Sequence, residues 1–290
     1  MLNLETIHQE RPIVNEWSSV LERLSIDSNW QQAVSYLSSV EQSQGITLQR
    51  LWQLLDQAWD ELRLKNTYPV GSEAFLHHYY QHPIWLINAT FCESYEATIN
   101  DRLAAVRLVT HVNPRKILDF GGGIGTVSRL CSHFIPQAEV IDLVDITEFR
   151  HTIKHYLADY HNIRVLAASE GPYDAIISTE VLEHLTNPVE TIIKINRLLR
   201  TGGAFSGSWS FMPVIKSHLP QNFHLHRTMP WIIRCLGFGF YGFERRGSMV
   251  FGFVKHSNVS PIMIKKARLL EKVARLPIPI EKILLLLKGL

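Results

Sequence analysis

The stretch that most constrains the fold of this chain is residues 116–127, with the sequence KILDFGGGIGTV. Its apolar start is typical of a short buried strand. Four glycines then follow within five positions, at 121, 122, 123 and 125. Glycine is favoured where φ is positive or where the backbone approaches a ligand closely. A helix that begins at about residue 124 or 125 directs unpaired N–H groups and a positive dipole end towards the turn. The stretch therefore predicts a strand–turn–helix unit that binds a nucleotide-type cofactor.

After residue 116 the chain alternates between predicted strands and helices. We predict strands at 116–120, 139–145, 163–167, 173–178 and 204–210. We predict helices at 125–134, 148–160, 188–199 and 229–236, and a closing hairpin of 239–244 with 249–255 that turns at 245–247. Repeated βα units form parallel sheets with helices on both faces. The sequence therefore predicts an α/β fold with a doubly wound, mostly parallel, seven-stranded sheet and an antiparallel edge strand.

The first 110 residues have the sequence pattern of a helical segment. Apolar residues recur there at three- and four-residue spacing, which predicts helices at 14–24, 30–40, 48–64, 72–80 and 83–106. Ser28 and Thr47 are predicted N-caps. For the aromatic segment 75–82 (FLHHYYQH), a packed helix face is favoured over a metal site or a substrate lid.

We therefore divide the chain into a helical cap (1–110), a cofactor-binding domain (111–258) and a basic amphipathic tail (259–290). Packing of the tail on the sheet or on another subunit is favoured. Peripheral contact with a membrane surface stays open, and so does a homodimer.

The composition argues against several classes of protein. Lys plus Arg number 29 against 27 for Asp plus Glu, so the net charge of +2 creates no general field for nucleic acid. Cys92, Cys131 and Cys235 lie far apart without metal or redox spacing, which is typical of reduced cytoplasmic thiols. The first ten residues lack a signal-peptide pattern, and no uncharged apolar run approaches the ~20 residues of a membrane span. We expect a cytoplasmic protein, with association at a membrane surface left open.

The glycine spacing distinguishes between two kinds of cofactor. A dinucleotide fingerprint requires glycine at the first, third and sixth positions, and here these are Gly121, Gly123 and Thr126. The third glycine is missing. Asp119, at the mouth of the turn, would repel a pyrophosphate but suits a ligand with an ammonium group.

Residues 119–125 (DFGGGIG) resemble the first motif, D-x-G-x-G-x-G, of class I S-adenosylmethionine-dependent methyltransferases. Three further stretches agree in order and spacing: 140–145 (VIDLVD), 173–185 (YDAIISTEVLEHL) and 198–205 (LLRTGGAF). The resemblance covers roughly residues 110–256 and implies S-adenosylmethionine as the cofactor. The helical first part is similar to the variable caps that such enzymes carry over the substrate.

The resemblance also implies roles for single residues. Asp119 helps to hold the ammonium group, and Asp145 accepts hydrogen bonds from the ribose hydroxyls. Asp142 is less favoured as the ribose ligand because it falls in mid-strand. The other implied cofactor-binding residues are Gly121, Gly123 and Gly125 at the methionine part, Ile146 on the adenine, Ala168 and Ser169 at the adenine edge, and Thr179 and Glu180 after the fourth strand. The sequence departs from the family at Gly122, where Cys or Ser is usual, and in the short link between strands three and four.

The segment after the fourth predicted strand carries the candidate catalytic residues, His184 and Glu183. His184 is a candidate general base, since imidazole titrates near neutrality. Glu180-x-x-Glu183-His184 also resembles the E-x-x-E-H element of certain quinone-biosynthesis and small-RNA 3′-end methyltransferases, in which it holds a divalent metal. A fourth ligand would come from His218, His224 or His226. A base or a hydrogen bond to substrate is favoured over a metal.

We therefore predict methyl transfer from S-adenosylmethionine to a small or medium-sized hydrophobic acceptor: a natural product, a quinone-like compound or a lipid. Oxygen is the favoured nucleophile. The aromatic cap residues Tyr79, Tyr80, Trp85 and Phe91 favour such an acceptor over a polymer. Two alternatives remain: an RNA methyltransferase with a metal at Glu180, Glu183 and His184, and a non-catalytic binding module with the same fold.

Overall fold

The computed structural model describes residues 14–72, 74–146, 149–245 and 249–276. Within these ranges the α-helices are α1 (Trp17–Leu24), α2 (Trp30–Val34), α3 (Ser39–Gln44), α4 (Leu48–Glu61), α5 (Ala74–Tyr80), α6 (Ile84–Ser94), α7 (Glu96–Arg107), α8 (Thr126–Phe134), α9 (Arg150–Tyr156), α10 (Pro188–Leu198), α11 (Met229–Cys235) and α12 (Pro261–Ala274). The strands are β1 (Lys116–Phe120), β2 (Val140–Val144), β3 (Ile163–Leu166), β4 (Tyr173–Thr179), β5 (Leu199–Ser208), β6 (Phe238–Arg245) and β7 (Met249–Lys255). Short 3₁₀ turns occur at Thr110–Val112, Leu182–His184 and Pro220–Leu225.

The strands form one sheet in the order β3–β2–β1–β4–β5–β7–β6. The first five strands pair in parallel, and β7 is antiparallel to both β5 and β6. The predicted α/β sheet is thus confirmed, with β7 as the antiparallel strand and β6 at the edge. The strand order reverses between β1 and β4. Ligands of open α/β sheets bind at such a reversal, outside the carboxyl ends of the strands.

Helices cover both faces of the sheet. On one face, Leu118 and Ile176 pack with Ile192 of α10. On the other face, Ile117 packs in one cluster with residues of α8 and with Leu103 of α7. Helix α7 therefore shares the core of the sheet, although the sequence assigned its residues to the cap.

The cap helices are shorter than predicted, for local reasons. The predicted helix 30–40 is split because Ser38 starts a new helix with a capping box. The backbone N–H of Ser38 donates to Glu41 Oε2 at 2.8 Å, and that of Glu41 donates to Ser38 Oγ at 3.3 Å. The predicted helix 83–106 is interrupted at Tyr95, whose backbone is extended. Thr47 is confirmed as an N-cap, whereas α2 follows Asn29 and is not capped by Ser28.

A buried polar network joins the cap to the sheet domain. Glu93 of α6 is fully buried and forms an ion pair of 2.9 Å with Arg129 of α8. The same carboxylate accepts hydrogen bonds from the Tyr156 hydroxyl at 3.0 Å and from the Asn15 side chain at 2.6 Å. Removing one partner of such a pair leaves an uncompensated buried charge, which is strongly destabilising. The network therefore holds the cap against α8 and α9 of the sheet domain.

The described part of the tail packs on the sheet domain. Ala267 and Leu270 of α12 are buried, and Arg268 donates hydrogen bonds to Asn187 at 2.9 Å and Glu190 at 3.1 Å. The rest of the predicted amphipathic tail, 277–290, lies outside the described residues, as does the hairpin turn at 246–248. None of the helices in the described ranges has the length and the apolar character that crossing a bilayer requires.

Candidate functional site

A cavity of about 820 Å³ lies between the cap and the carboxyl ends of the strands. This volume falls within the usual range for small-molecule sites. One end is formed by the glycine turn and the ends of β2 and β4, and the other end by cap helices. The wall includes Gly121, Gly122, Gly123, Asp145, Ile146, Thr179, Glu180, Val181, His184, Asp101, Arg102, Trp52, Tyr80, Trp85 and His218.

The glycine turn adopts the left-handed conformations that its sequence predicted. At Gly121, φ is +73°, and an added Cβ would lie 2.5 Å from Cγ2 of Val181. At Gly123, φ is +53°, and nothing lies within 4 Å of an added Cβ. The turn is therefore closely packed on the Val181 side and open towards the cavity at Gly123.

Asp145 lies at the end of β2, beside this turn. The backbone N–H of Gly123 donates to Asp145 Oδ2 at 2.8 Å, so the carboxylate links the glycine turn to β2. Asp142 is buried within the sheet, where it accepts hydrogen bonds from Arg164 at 2.7 and 3.0 Å and from the Tyr173 hydroxyl at 2.9 Å. The preference for Asp145 over Asp142 as the ribose ligand agrees with these positions.

Asp119 lies beneath the turn and is absent from the described wall of the cavity. Its Oδ2 accepts hydrogen bonds from the backbone N–H and the hydroxyl of Ser128, at 3.0 and 2.7 Å. A Cβ on Gly122 would come within 2.7 Å of this carboxylate, which explains why glycine replaces the usual Cys or Ser. Burial raises the pKa of Asp119 to about 6. Direct contact with an ammonium group stays a prediction, and the observed contacts order the start of α8.

The pKa of Asp119 gives a testable effect on stability. Because its folded-state pKa of about 6 exceeds the ordinary 3.8, the folded protein binds this proton more tightly than the unfolded chain. The charged carboxylate therefore lowers the free energy of unfolding, and this effect is complete above pH ~6. The effect disappears as the pH falls towards ~4, where the carboxyl group is protonated in both states. We expect Asp119→Asn to raise the free energy of unfolding at pH 7.5 by up to about 3 kcal/mol, and by little at pH 4.

Urea unfolding at both pH values measures this difference. Asp159→Asn, at an acid whose side chain is 82% exposed, serves as the control and should change neither curve. A less stable Asp119→Asn protein at pH 7.5 would contradict the prediction.

The loop after β4 combines a strained backbone with buried carboxyl groups. Glu180 has φ of +54°, which is uncommon for a residue other than glycine and is found mainly at functional sites. Glu183 is buried, and its Oε1 accepts a hydrogen bond from the backbone N–H of Ser210 at 2.9 Å. Burial, and then the charge of Glu180, raise the pKa of Glu183 well above its ordinary range. Among the described residues no N–H or hydroxyl group donates to Glu180 Oε1 or Glu183 Oε2, and the two carboxyl groups lie within hydrogen-bonding reach of each other.

His184 and His218 form a buried pair beside these carboxyl groups. Nδ1 of His184 lies 3.1 Å from the carbonyl of Ser217, and Nδ1 of His218 lies 2.9 Å from that of Met212. Because a carbonyl can only accept, each Nδ1 carries a proton, and each neutral ring keeps its lone pair at Nε2. Burial, and then His218, lower the pKa of His184 to about 3. The expectation that His184 titrates near neutrality is therefore wrong.

The structure also selects among the three histidines that follow the fifth strand. Glu183, His184 and His218 each offer a ligand atom, and these atoms lie within 4.8 Å of one another. His224 instead lies near Arg275 and Glu271, so its assignment as a metal candidate is corrected to His218. His226 is exposed. The loop between β5 and α11 decides this choice, because its path brings residue 218 back to the end of β4.

Other predicted residues are placed as follows. Ile146, Thr179 and Glu180 line the cavity as expected. At the end of β3, which stops at Leu166, the wall is formed by Ala167 rather than by Ala168 or Ser169. Gly125 precedes α8, and an added Cβ there would meet Leu157 and Leu143. Gly125 therefore serves packing of the helix on the sheet.

Sequence reasoning missed the charged residues on α7. Asp101 and Arg102 line the cavity beside the glycine turn. Arg102 donates to the carbonyl of Thr98 at 3.2 Å and contacts Cys92 Sγ at 3.3 Å. Nothing in the helical pattern of 83–106 distinguishes these two residues. They become recognisable only once α7 is packed against the sheet.

Comparisons with known proteins agree with this geometry. Residues 93–211 match the family model of a methyltransferase domain. The ubiquinone biosynthesis O-methyltransferase of Burkholderia multivorans is 26% identical over 173 residues, which are 57% of this chain and 72% of that protein. The protein of the same name from Burkholderia ambifaria is 26% identical over 194 residues, 63% of this chain and 81% of the relative.

Solved structures of methyltransferases are also similar. Human N-acetylserotonin methyltransferase in complex with S-adenosylmethionine aligns with a TM-score of 0.49 and 14% identity, covering 71% of this chain and 67% of that one. An O-methyltransferase family protein from Burkholderia thailandensis aligns with a TM-score of 0.48 and 18% identity, covering 72% and 71%.

The strand–glycine turn–helix unit, the sheet order and the matched domain define a methyltransferase. Residues 93–211 form a methyltransferase domain, and the chain is an S-adenosylmethionine-dependent methyltransferase that is similar to the class I enzymes.

Proposed function

We propose that this enzyme transfers a methyl group from S-adenosylmethionine to a hydroxyl oxygen of a small or medium-sized hydrophobic acceptor. The observation that carries the proposal is the single cavity that joins the glycine turn and Asp145 to the aromatic and apolar side chains of the cap. One space can therefore hold the donor and the acceptor together, which in-line transfer requires. The names of the relatives, ubiquinone biosynthesis O-methyltransferases, support oxygen as the nucleophile and a quinone-like acceptor.

At the cofactor end, the charged side chains of Asp145 and Arg102 suit the ribose and the methionine carboxylate of S-adenosylmethionine. The Asp145 carboxylate accepts hydrogen bonds from the ribose hydroxyls, and Ile146, which is exposed in the cavity wall, packs on the adenine. The guanidinium of Arg102 pairs with the carboxylate of the methionine part, since Arg–carboxylate pairs are among the stronger hydrogen-bonded contacts. The open side of Gly123 allows the backbone to approach the cofactor.

At the acceptor end, the wall is mainly apolar. It contains Leu24, Leu48, Leu51, Trp52 and Leu55 from the cap. An RNA end would instead require cations that follow its phosphates and aromatic rings that stack its bases. These side chains therefore favour a natural product, a quinone-like compound or a lipid over RNA.

A second candidate feature is a divalent metal held by Glu183, His184 and His218, with Glu180 beside them. The Nδ1–H···O=C hydrogen bonds of both histidines are of the kind that usually orients metal-binding imidazoles. The carboxyl group of Glu183 provides an oxygen ligand, and two nitrogens with carboxylate oxygens suit Zn²⁺, Mn²⁺ or Mg²⁺. Such a metal would bind the acceptor oxygen and lower the pKa of its hydroxyl. The protein residues themselves hold the acceptor and exclude water.

Calorimetry and a labelled-methyl assay test the proposed function. We expect one molecule of S-adenosylmethionine to bind per chain, and a tritiated methyl group to reach alkylphenols rather than alkylamines. Failure to bind the cofactor would contradict the enzyme assignment. Binding without transfer to any phenol, alcohol or amine would support the non-catalytic alternative instead.

A further inference from the structure

The carbonyl groups that orient the two buried imidazoles lie on one irregular segment of the chain. Residues 209–219 connect β5 to the 3₁₀ turn Pro220–Leu225, and we call them the histidine loop. The carbonyl of Ser217 accepts from Nδ1 of His184, and that of Met212 accepts from Nδ1 of His218. The tautomers and the orientations of both rings therefore depend on the path of the histidine loop.

A cap residue that is absent from the described wall of the cavity holds the middle of this loop. Oδ1 of Asp56, on α4, accepts a hydrogen bond from the backbone N–H of Lys216 at 2.7 Å. Asp56 is half-buried, and its neighbours Leu54 and Leu55 belong to the core of the cap. The acceptor is therefore carried by a packed helix rather than by a second loop, which favours precise positioning.

The contact with Asp56 reaches His218 through a single peptide group. The N–H of Lys216 and the carbonyl of Ile215 belong to the same planar peptide unit. That carbonyl accepts a hydrogen bond from the backbone N–H of His218 at 3.0 Å. Because the acceptor at the N–H is a carboxylate, it also polarises the peptide group and strengthens the bond to His218. The orientation of the His218 backbone therefore depends on Asp56.

The same contact lies next to the carbonyl that orients His184. Ser217 directly follows Lys216, and its carbonyl lies 3.1 Å from Nδ1 of His184. Both ends of the histidine loop donate hydrogen bonds to Glu183, at its side chain and at its carbonyl, whereas the contact with Asp56 joins the middle of the loop to the cap. One carboxylate of the cap therefore supports the segment that holds both rings.

Lys216 makes a second contact with α4, which provides a comparison. Its ammonium group donates to Asp60 Oδ1 at 2.7 Å, one helical turn after Asp56. The side chains of this ion pair are 39% and 63% exposed, and exposed pairs of this kind stabilise a structure little. The pair also holds a flexible side chain and not the backbone of the histidine loop. Asp56 and Asp60 therefore contact the same residue with different consequences for the two rings.

We propose that Asp56 is a positioning residue for the methyl transfer, which fixes the imidazoles of His184 and His218 through the backbone of the histidine loop. The inference rests on the proposed function, since it requires that the two rings contact the acceptor or hold a metal that does. It gives the cap a second role besides enclosing the acceptor. The rings are in place only when α4 is packed against the loop.

Nitrogen-15 NMR of the full chain, labelled at its histidine rings, tests the positioning directly. The chemical shifts of the ring nitrogens report which nitrogen carries the proton, and the two rings are identified by their missing signals in His184→Ala and His218→Ala. We expect Nδ1–H at both rings of the wild type. Asp56→Ala should convert both rings to mixtures of tautomers. Asp56→Asn should keep Nδ1–H, because its amide oxygen still accepts the Lys216 N–H.

Transfer of a labelled methyl group to a phenol provides the second measurement. Asp56→Ala should lower kcat about tenfold, since small displacements of a reacting group have effects of this size or larger. Its KM for S-adenosylmethionine should stay unchanged, and Asp56→Asn should recover most of the rate. Asp60→Ala is the matched control, because it removes a carboxylate that contacts the same lysine from the same helix. It should alter neither the rate nor the tautomers.

Three results would overturn the inference: unchanged tautomers in Asp56→Ala, equal effects of Asp56→Ala and Asp60→Ala, or a loss in Asp56→Asn as large as in Asp56→Ala. If Asp56→Ala loses its affinity for S-adenosylhomocysteine, Asp56→Glu decides, since it keeps the charge but displaces the acceptor. Retained Nδ1–H at both rings of that variant would also overturn the inference. The NMR measurement needs no acceptor, so altered tautomers without transfer to any phenol would contradict the proposed function and not the positioning of the rings.

Discussion

Replacing Asp145 by alanine is expected to weaken the binding of S-adenosylmethionine at least a hundredfold. The carboxylate accepts the Gly123 N–H at 2.8 Å and lies in the wall of the cavity, at the end of β2. Hydrogen bonds to a charged group contribute about 1.5–3 kcal/mol each. Loss of the two proposed bonds to the ribose hydroxyls accounts for the expected effect. Release of the glycine turn adds to it.

Isothermal titration calorimetry of the purified full chain measures this affinity. Asp159→Ala removes an exposed carboxylate that follows α9 and should leave the affinity unchanged. If Asp145→Ala binds the cofactor as tightly as the wild type, the assigned cofactor site is incorrect.

Removal of either buried imidazole is expected to lower kcat by about 10–10²-fold, since loss of a hydrogen-bonded contact to the acceptor costs about 1–3 kcal/mol. The variants are His184→Ala and His218→Ala, and the reason is that both rings are held by backbone carbonyls beside Glu183. The affinity for S-adenosylmethionine should change little, because the proposed ribose and methionine contacts are made by Asp145 and Arg102. Transfer of a labelled methyl group to a phenol measures the rate.

His224→Ala is the matched control for this pair, since His224 lies near Arg275 and Glu271, away from the cluster. It should retain full activity. The same assay in excess chelator, followed by addition of Mg²⁺, Mn²⁺ or Zn²⁺, separates the two roles of the cluster. Activity that is lost and then restored supports a metal, whereas full activity in chelator leaves His184 as an acceptor of the substrate's hydrogen bond. Equal losses in all three alanine variants would contradict the assignment of His218.

The cofactor end of the cavity was predictable from sequence because its geometry is local. A positive φ at Gly121 and Gly123 follows from the residue type. Asp145 ends a strand that pairs in parallel with β1, and the carboxyl ends of neighbouring parallel strands meet at one edge. The sheet itself followed from the alternation of apolar strands and amphipathic helices. The exact ends of the cap helices did not, because a capping residue such as Ser38 can divide an otherwise continuous pattern.

The orientation and the pKa of a side chain were less predictable than the secondary-structure element that carries it. Asp119 ends β1 as expected, yet its carboxylate turns beneath Gly122 to reach Ser128. His184 follows β4 as expected, but burial removes the near-neutral pKa that suggested a base. The orientation of Asp119 depends on its contact with Ser128 across the glycine turn. The pKa of His184 depends on exclusion of water. Neither can be read from a motif.

The sequence by itself determined the sheet, the glycine turn, the acid at the end of β2 and the methyl donor, since each depends on residue types at short spacing. Only the tertiary structure brought His218 to Glu183 and His184 across the loop that follows β5. It also placed Asp101 and Arg102 of α7 in the wall of the cavity. These arrangements come from the path of the loop after β5 and from the packing of α7 on the sheet, which bring together groups far apart in the chain and leave no periodic pattern in the sequence.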